Sequence, residues 1–413
     1  MGPYITSRQR RERETMMRIN RRGFLASTAA FPFIAQCAAE SENAAKYKAC
    51  IIGDSNKGGY GHYIHLAFAG RPDVAVVGLA DPDEAGRAKH AAEANAQRTY
   101  ADYREMLEKE KPDLVAVGPR LTIRHKEYVL ACAEHGCHGF LEKPIAADLA
   151  EADEMIAAIE AKNLKWAMAH NFRISPVTQH MKKMLLEENL IGHIIELRSH
   201  GKEDHRAGGE DLIVLGTHTF DLMQHLMGAP EWCMADITVN GKPAQPSDVK
   251  EATEPLGPIV GNRINAMFGL GKGIAGFFGS IIQPDGNGGR WGLDVYGSKG
   301  IIKLRFDDPN NIDGIPNVSY LPDPSWAPGM SDAEWAPLPG APEVTMENPE
   351  VDRNAPIVDD LIAAIEEDRL PEVSMQDGRT AYEFIQGTFA AHVNGGRVAL
   401  PLSERTHPLK NWA

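Results

Sequence analysis

The chain has 413 residues, of which 43% are hydrophobic and 24% are charged, and its formal net charge is −14. This length and composition are typical of a globular protein with two or three domains and argue against a fibrous or largely disordered chain. An acidic surface repels phosphate backbones and anionic lipids, so nucleic acids and membrane surfaces are not expected partners.

Residues 1–40 have the pattern of an export signal. Arginines are concentrated in residues 1–22, and a short apolar stretch follows that cannot span a bilayer. The pair Arg21-Arg22 resembles a twin-arginine translocation motif, which predicts export of the folded protein to the periplasm. Lipid attachment at Cys37 and a simple basic tail are the alternatives. No later segment is apolar enough to predict a membrane span.

From residue 46 to residue 170, short apolar runs alternate with helical segments. The runs are 47–53, 74–80, 114–118, 139–141 and 165–170, and they are nearly continuous in apolar residues. Such runs are typical of strands that are covered on both faces. The alternation predicts an α/β domain over residues 46–170, built on a parallel sheet with crossover helices.

From residue 171 to residue 405 the pattern changes. Helices are expected at 179–188 and 219–227, and strands at 192–199, 232–240, 261–269, 272–281, 291–296 and 300–305. We therefore predict a second domain of the α+β class over residues 171–405, built on a mostly antiparallel sheet.

A glycine-rich turn after the first strand indicates a dinucleotide site. Gly53, Gly58, Gly59 and Gly61 lie between this strand and a helical segment, where backbone N–H groups can surround a pyrophosphate. The loop is longer than the G-x-G-x-x-G pattern, so it is a weak motif by itself. Asp81 ends the second strand, and a carboxylate there accepts ribose hydroxyls and repels a 2′-phosphate. Together they predict NAD rather than NADP.

Further short motifs follow along the chain. They are Tyr100-Ala101-Asp102-Tyr103, Gly118-Pro119 with His125, Glu142-Lys143-Pro144, Gly216-Thr217-His218 with Asp221, Tyr296-Gly297-Ser298-Lys299-Gly300 and Leu400-Pro401-Leu402. Their order over residues 47–405 resembles the glucose–fructose oxidoreductase and inositol dehydrogenase family (Gfo/Idh/MocA). The resemblance implies that the first domain is a Rossmann domain with a doubly wound parallel sheet. For the second domain it implies a large, mostly antiparallel open sheet that commonly serves as an oligomer interface. It also implies hydride transfer between nicotinamide and a carbinol carbon of a sugar or polyol.

The resemblance assigns roles to individual residues. Lys143 is expected to order the substrate hydroxyl, and His218 to handle its proton. Val214 stands where the family commonly has an aspartate, so His218 needs another orienting partner or acts without one. The other expected cofactor contacts are Pro119, His125, Glu142, Lys143 and Asn171, and the expected substrate contacts are Arg173, Asp211 and Asp221. For Arg173, an ion pair between the domains is an equal alternative. No metal site is expected, because the family generally needs none.

Three functions remain open at this point. The first is an NAD-dependent oxidoreductase that acts on a carbohydrate. Because free NAD is scarce outside the cytoplasm, an exported member should hold the cofactor tightly. The second is NAD-assisted glycoside cleavage through transient oxidation and elimination. The third is a non-catalytic protein that binds sugar and nucleotide, which Val214 keeps open. The expected partners are a small carbohydrate and further copies of the chain.

Overall fold

The computed structural model describes residues 45–282, 289–307, 315–322 and 333–412. The predicted signal, with Arg21, Arg22 and Cys37, lies outside the described residues, so export stays a prediction. Within the described residues, no helix combines the length and the apolar character needed to cross a membrane.

Parallel strands form the first sheet, as the alternating sequence predicts. They are β1 (Tyr47–Ile52), β2 (Val74–Ala80), β3 (Arg98–Tyr100), β4 (Leu114–Val117), β5 (His138–Leu141) and β6 (Trp166–Met168). The order in the sheet is β3-β2-β1-β4-β5-β6. This is the doubly wound order, in which ligands bind beyond the carboxyl ends of β1 and β4, where the strand order reverses.

Helices α1 (Glu84–Glu93), α2 (Tyr103–Glu110), α3 (Thr122–Glu134) and α4 (Leu149–Glu160) connect the later strands. Aspartate side chains cap three of them. Asp83 accepts the N–H of Gly86 at 2.6 Å, and Asp148 accepts the N–H of Glu151 at 3.1 Å. Asp102 caps α2 in the same way. These caps fix where the helices begin after the preceding strands.

The connection after β1 differs from the regular helix that the sequence predicts. Gly61–Leu66 forms a 3₁₀ helix. His62 and Tyr63 have φ angles of 48° and 55°, a left-handed conformation that is incompatible with a continuous α-helix. Residues 54–60, which we call the glycine loop, precede this segment. The regular helix N-terminus that usually faces a pyrophosphate is therefore replaced here by an irregular turn.

The second sheet follows. Its strands are β7 (Ile194–His200), β8 (Trp232–Val239), β9 (Lys242–Pro243), β12 (Arg263–Gly269), β13 (Ala275–Ile281), β14 (Gly292–Gly297), β15 (Gly300–Arg305), β16 (Asn317–Pro322), β17 (Ala336–Pro337) and β18 (Val398–Ala399), while β10 (Lys250–Glu251) and β11 (Pro258–Ile259) form a separate ribbon. The order is β17-β16-β15-β14-β7-β13-β12-β8-β18, with β9 beside β8. The described pairs are antiparallel except β7 with β13. The predicted fold class is confirmed.

Helices cover both sheets. They are α5 (Asn171–Ile174), α6 (Pro176–Leu186), α7 (Gly209–Val214), α8 (Gly216–Met227), α9 (Pro349–Asp352), α10 (Ala355–Glu366) and α11 (Met375–Val393), with 3₁₀ turns at Pro246–Asp248, Gly271–Gly273 and Pro408–Asn411. Phe220 of α8 stacks on Phe384 of α11 at 5.0 Å, and both rings contact Phe268 of β12. In contrast, α10 packs on the first sheet, where Ile357 and Leu361 join the core cluster of that sheet.

Candidate active site

The loop after β1 is hydrogen-bonded to the chain that follows β4. The N–H of Gly61 donates to the Gly118 carbonyl at 2.8 Å, and the N–H of Arg120 donates to the Gly58 carbonyl at 3.2 Å. Only glycine permits this approach at position 58, because a Cβ there would lie 2.7 Å from the Arg120 nitrogen. Since this fold admits a dinucleotide between these two connections, the bonds close the cofactor cleft.

Asp81, the predicted ribose ligand, is buried beneath the glycine loop with an exposed fraction of 0%. Its carboxylate accepts hydrogen bonds from the Ser55 N–H at 3.1 Å and the Ser55 hydroxyl at 2.6 Å. It also accepts the Tyr60 hydroxyl at 2.9 Å and the Asp83 N–H at 2.9 Å. The Tyr60 ring lies over Gly53, where a Cβ would be 1.9 Å from the ring. The protein itself therefore occupies the acceptor positions of this carboxylate.

These contacts determine how NAD can fit this chain. The residue types suit the cofactor, because a carboxylate ends β2 and glycines line the loop. The structure brings Gly53, Gly58, Gly59, Gly61 and Asp81 together, but the loop contacts the carboxylate in the place of a nucleotide. Ribose hydroxyls can reach Asp81 only after Tyr60 and Ser55 move away.

Glu142, which follows β5, pairs with a histidine from the far side of the glycine loop. The Nδ1 atom of His62 lies 2.7 and 2.9 Å from the two carboxylate oxygens of Glu142. Gly61 makes room for this carboxylate, because a Cβ there would be 2.5 Å from its carboxyl carbon. Burial acts to raise the pKa of Glu142, but His62 and Lys143 outweigh it, and the pKa lies below its usual range.

Lys143 is buried beside Glu142 and reaches the second domain. Its Nζ atom donates to the Val214 carbonyl at 2.8 Å, and 3% of the residue is exposed. Burial lowers the pKa of Lys143 to about 8, against the opposing charge of Glu142. The backbone carbonyl of Val214 thus holds the Lys143 ammonium. The valine side chain cannot replace the aspartate common in the family, because it has no hydrogen-bonding group.

His218 lies at the centre of a cluster of aromatic and imidazole rings. Its ring centroid is 5.7 Å from that of His62, 5.6 Å from His170 and 5.1 Å from Phe172. Burial lowers the pKa of His218 well below its usual value, and the nearby Lys143 charge adds to the effect. Among the described residues, its buried Nδ1 atom has no hydrogen-bond partner. His218 is therefore held as a neutral imidazole, and because its Nδ1 atom is closed off by the protein, Nε2 is the ring nitrogen left to meet a substrate.

The predicted substrate contacts Arg173 and Asp221 form an interior ion pair instead. The guanidinium donates to both carboxylate oxygens, at 3.0 and 2.6 Å, and both residues are buried. His170 joins them, with Nδ1 at 3.4 Å from Asp221. Arg173 thus forms an ion pair, but both partners lie within residues 171–405, so the pair does not join the two domains as the alternative for Arg173 expected. Contact of Arg173 with substrate does not fit this geometry, because the guanidinium is already engaged. Asp221 therefore anchors Arg173 and also His170, whose ring lies beside that of His218.

Asp211 is also engaged by the protein. Its carboxylate accepts the N–H groups of Lys202 and Glu203 at 3.0 and 3.1 Å and the Ser280 hydroxyl at 2.6 Å. These bonds hold the turn after β7, and the carboxylate is fully buried. The expectation that Asp211 contacts substrate is therefore not supported by this geometry, because its acceptor positions are already used.

Three predicted cofactor contacts form the walls around the cleft. His125 bridges two turns, with its ring nitrogens 2.7 Å from the Pro119 carbonyl and 3.1 Å from the Ile145 carbonyl. The amide nitrogen of Asn171 donates to Asn354 at 2.8 Å. The structure gives Pro119, His125 and Asn171 a framework role, and contact with cofactor stays a prediction for them.

Several residues of the site could not be recognised from the sequence. Tyr60 ends the glycine loop and His62 lies in the 3₁₀ segment that follows it, where the sequence motif drew attention to the glycines alone. Trp291 lies 5.9 Å from His218 between ring centroids, and Phe306 stacks on Phe172 at 3.9 Å. A hydrophobic pattern alone does not distinguish these rings from ordinary core residues, because they come from distant parts of the chain.

Comparisons with known proteins agree with the fold. Residues 48–170 match the oxidoreductase family with an NAD-binding Rossmann fold, and residues 183–400 match the C-terminal alpha/beta domain of the same family. The levoglucosan dehydrogenase of Pseudarthrobacter phenanthrenivorans is 24% identical over 257 residues, which cover 56% of this chain and 65% of that protein. The myo-inositol 2-dehydrogenase of Thermotoga maritima is 25% identical over 246 residues, covering 56% and 67% of the two chains.

A solved structure of levoglucosan dehydrogenase, in complex with NADH and levoglucosan, has the same fold. Its TM-score is 0.68 at 19% identity, and the match covers 86% of this chain and 99% of that one. Since the two family matches span both domains, the resemblance read from the motifs is confirmed. This chain belongs to the Gfo/Idh/MocA family of oxidoreductases, with an NAD-binding Rossmann domain and a C-terminal α/β domain.

Proposed function

We propose that this chain is an NAD-dependent oxidoreductase that acts on a carbinol carbon of a sugar or polyol. Lys143 and His218, buried together at the carboxyl end of β5, carry this assignment. Relatives named for levoglucosan and myo-inositol support the substrate class. Phe172 and Trp291 add flat apolar rings beside His218, as in pockets that pair apolar walls with a few polar groups.

The proton chemistry follows from the states of these two side chains. Neutral His218 accepts the hydroxyl proton of the substrate at Nε2, the ring nitrogen that the protein does not close off. The Lys143 ammonium uses one hydrogen on the Val214 carbonyl and has two left to hold the substrate oxygen. NAD, when bound, supplies the hydride acceptor or donor. The residues that would hold it are Asp81 and the glycines of the adjacent loop.

Cofactor entry requires movement of the glycine loop. In the closed arrangement the Tyr60 and Ser55 hydroxyls take the acceptor positions on Asp81 that ribose hydroxyls need. We therefore propose that NAD competes with these two side chains and binds to an open loop. Tight retention of NAD stays part of the proposal, because an exported enzyme has little free NAD around it.

The test is a nucleotide and substrate screen on the full chain. Nucleotide extracted from the purified protein is identified by mass, and sugars and polyols are then supplied with NAD or NADP while NADH or NADPH absorbance is followed. We expect NAD binding by calorimetry and turnover of at least one sugar or polyol. A chain that binds neither nucleotide and turns over no compound would contradict the proposal.

A second candidate is NAD-assisted glycoside cleavage, which one observation favours. Elimination needs an acid for the leaving group in addition to a base for the C–H bond, and His62 held by Glu142 is a second proton-transfer group beside His218. Release of an aglycone from a chromogenic glycoside, dependent on NAD but without net NADH formation, would distinguish cleavage from oxidation.

Export through the twin-arginine pathway remains a proposal that rests on the leader sequence. Replacing Arg21 and Arg22 together by lysine should leave the protein folded but retained in the cytoplasm, as measured by cell fractionation. Unchanged export of the double variant would contradict this route.

We also propose that copies of the chain associate through the second sheet. Met234, Met267 and Phe277 are neighbours across β8, β12 and β13, and Arg198 of β7 stacks on Phe277 at 4.8 Å. Met234 is 48% exposed, so this row offers apolar surface for burial between copies. Light scattering should report an oligomer that Met234→Glu dissociates, and a monomeric wild type would contradict the proposal.

A further inference from the structure

Two histidines and a glutamate converge beside the glycine loop, outside the pocket of Lys143 and His218. His65 lies in the 3₁₀ segment that follows the loop, and His90 and Glu93 lie in the last turn of α1. The Nε2 atom of His65 is 3.1 Å from Glu93 Oε2, and the Nδ1 atom of His90 is 2.8 Å from the same oxygen. One ligand atom from each residue lies within 4.8 Å of the others.

This spacing suits a tetrahedral metal ion. Zinc binds histidine nitrogen and carboxylate oxygen at about 2.0–2.2 Å, which separates neighbouring ligand atoms by roughly 3.4 Å. The three atoms reach that arrangement with small side-chain rotations, because His90 and Glu93 are one helical turn apart. Two histidines and one carboxylate, with a fourth position left for water, are a common ligand set for this ion.

Hydrogen bonding alone accounts for only part of this cluster. Both rings face the same Glu93 oxygen, and His65 is 5% exposed, with no hydrogen-bond partner for its Nδ1 atom within the described chain. With the ring proton of His65 on Nδ1, its Nε2 lone pair points into the cluster, where a metal ion would accept it. Lys89 is the nearby competing cation, with Nζ at 4.0 Å from Glu93 Oε1, and its side chain is exposed and can turn away.

We propose that His65, His90 and Glu93 bind a divalent transition-metal ion, with zinc as the first candidate. The ion would tie the 3₁₀ segment to α1. The centroid of the Tyr60 ring lies 4.2 Å from that of the His90 ring. A bound ion would therefore hold the 3₁₀ segment next to Tyr60, the residue that covers Asp81. The site is separate from the proposed proton chemistry, and its occupancy does not depend on substrate or NAD.

The test is calorimetric titration of the full chain with Zn²⁺ after treatment with a chelator. We expect one high-affinity zinc per chain and a rise in Tm when it binds. Loss of a direct ligand should weaken binding by more than the roughly 10–100-fold caused by loss of an outer-shell partner. His90→Ala and Glu93→Gln should both show this, while Glu84→Gln in the first turn of the same helix should bind zinc normally.

Cobalt absorption gives a second readout. Co²⁺ bound to the wild type should show the intense visible bands of a tetrahedral nitrogen and oxygen site, and His90→Ala should lose them. Circular dichroism checks that both variants are folded, which their partial exposure favours. Stoichiometric zinc binding that survives in both variants, or no high-affinity binding by the wild type, would overturn the assignment.

Discussion

Removing the Tyr60 hydroxyl should strengthen NAD binding. In the closed cleft this hydroxyl donates to the buried Asp81 carboxylate at 2.9 Å. Burial, followed by the charge of Asp81, raises the pKa of Tyr60, so the group stays a donor throughout the working pH range. A hydrogen bond to a charged group contributes about 1.5–3 kcal/mol. Tyr60→Phe should remove that contribution from the closed loop and leave the free energy of the open, NAD-bound loop unchanged. The apparent Kd for NAD should then fall about tenfold or more.

Calorimetry or NADH fluorescence at fixed pH measures this Kd without any substrate. Tyr63→Phe is the matched control. Tyr63 lies three residues after Tyr60, and its side chain is exposed and makes no hydrogen bond to Asp81 that competes with the cofactor. Equal NAD affinities for Tyr60→Phe and the wild type would refute competition between the loop and the cofactor. Loss of NAD binding in Tyr60→Phe would show that the hydroxyl contacts the cofactor itself.

Three further predictions concern charge. Arg173→Ala should lower the free energy of unfolding by about 3–5 kcal/mol, because the buried Asp221 would lose its guanidinium and keep only its longer contacts with His170 and Gln224; a loss below about 1 kcal/mol in urea unfolding would contradict this. Sugar oxidation should fall as pH rises through about 8, since Lys143 loses its proton there, and a kcat/KM profile that rises instead would refute the ammonium role. Asp81→Ala should narrow the preference for NAD over NADP, and unchanged discrimination by calorimetry would refute a carboxylate that repels the 2′-phosphate.

Much of the fold could be predicted from local sequence. The apolar runs over residues 74–80 and 114–118 predict strands because both faces of a parallel sheet are buried, and β2 and β4 lie there. Asp148 followed by Glu151 predicts the start of α4, where the capping bond is found at 3.1 Å. Such signals depend only on neighbouring residues.

The site depended on contacts that local sequence does not encode. The bond between Tyr60 and Asp81 joins two connections of the sheet, and it converts an expected ribose ligand into a covered carboxylate. Arg173 and Asp221 are far apart along the chain, so the sequence cannot decide between an ion pair and a substrate contact. The sequence shows that position 214 lacks the aspartate common in the family. It does not show that Lys143 would bind the backbone carbonyl of Val214.

The most direct test of the account compares His218→Ala with the wild type on a sugar or polyol that the wild type oxidises. With NAD saturating, NADH formation should fall by roughly 10²–10⁴-fold, because the substrate hydroxyl loses its proton acceptor. NAD affinity should change little, and His135→Ala, an exposed histidine at the end of α3, should retain full turnover. Wild-type turnover by a folded His218→Ala variant would contradict the account.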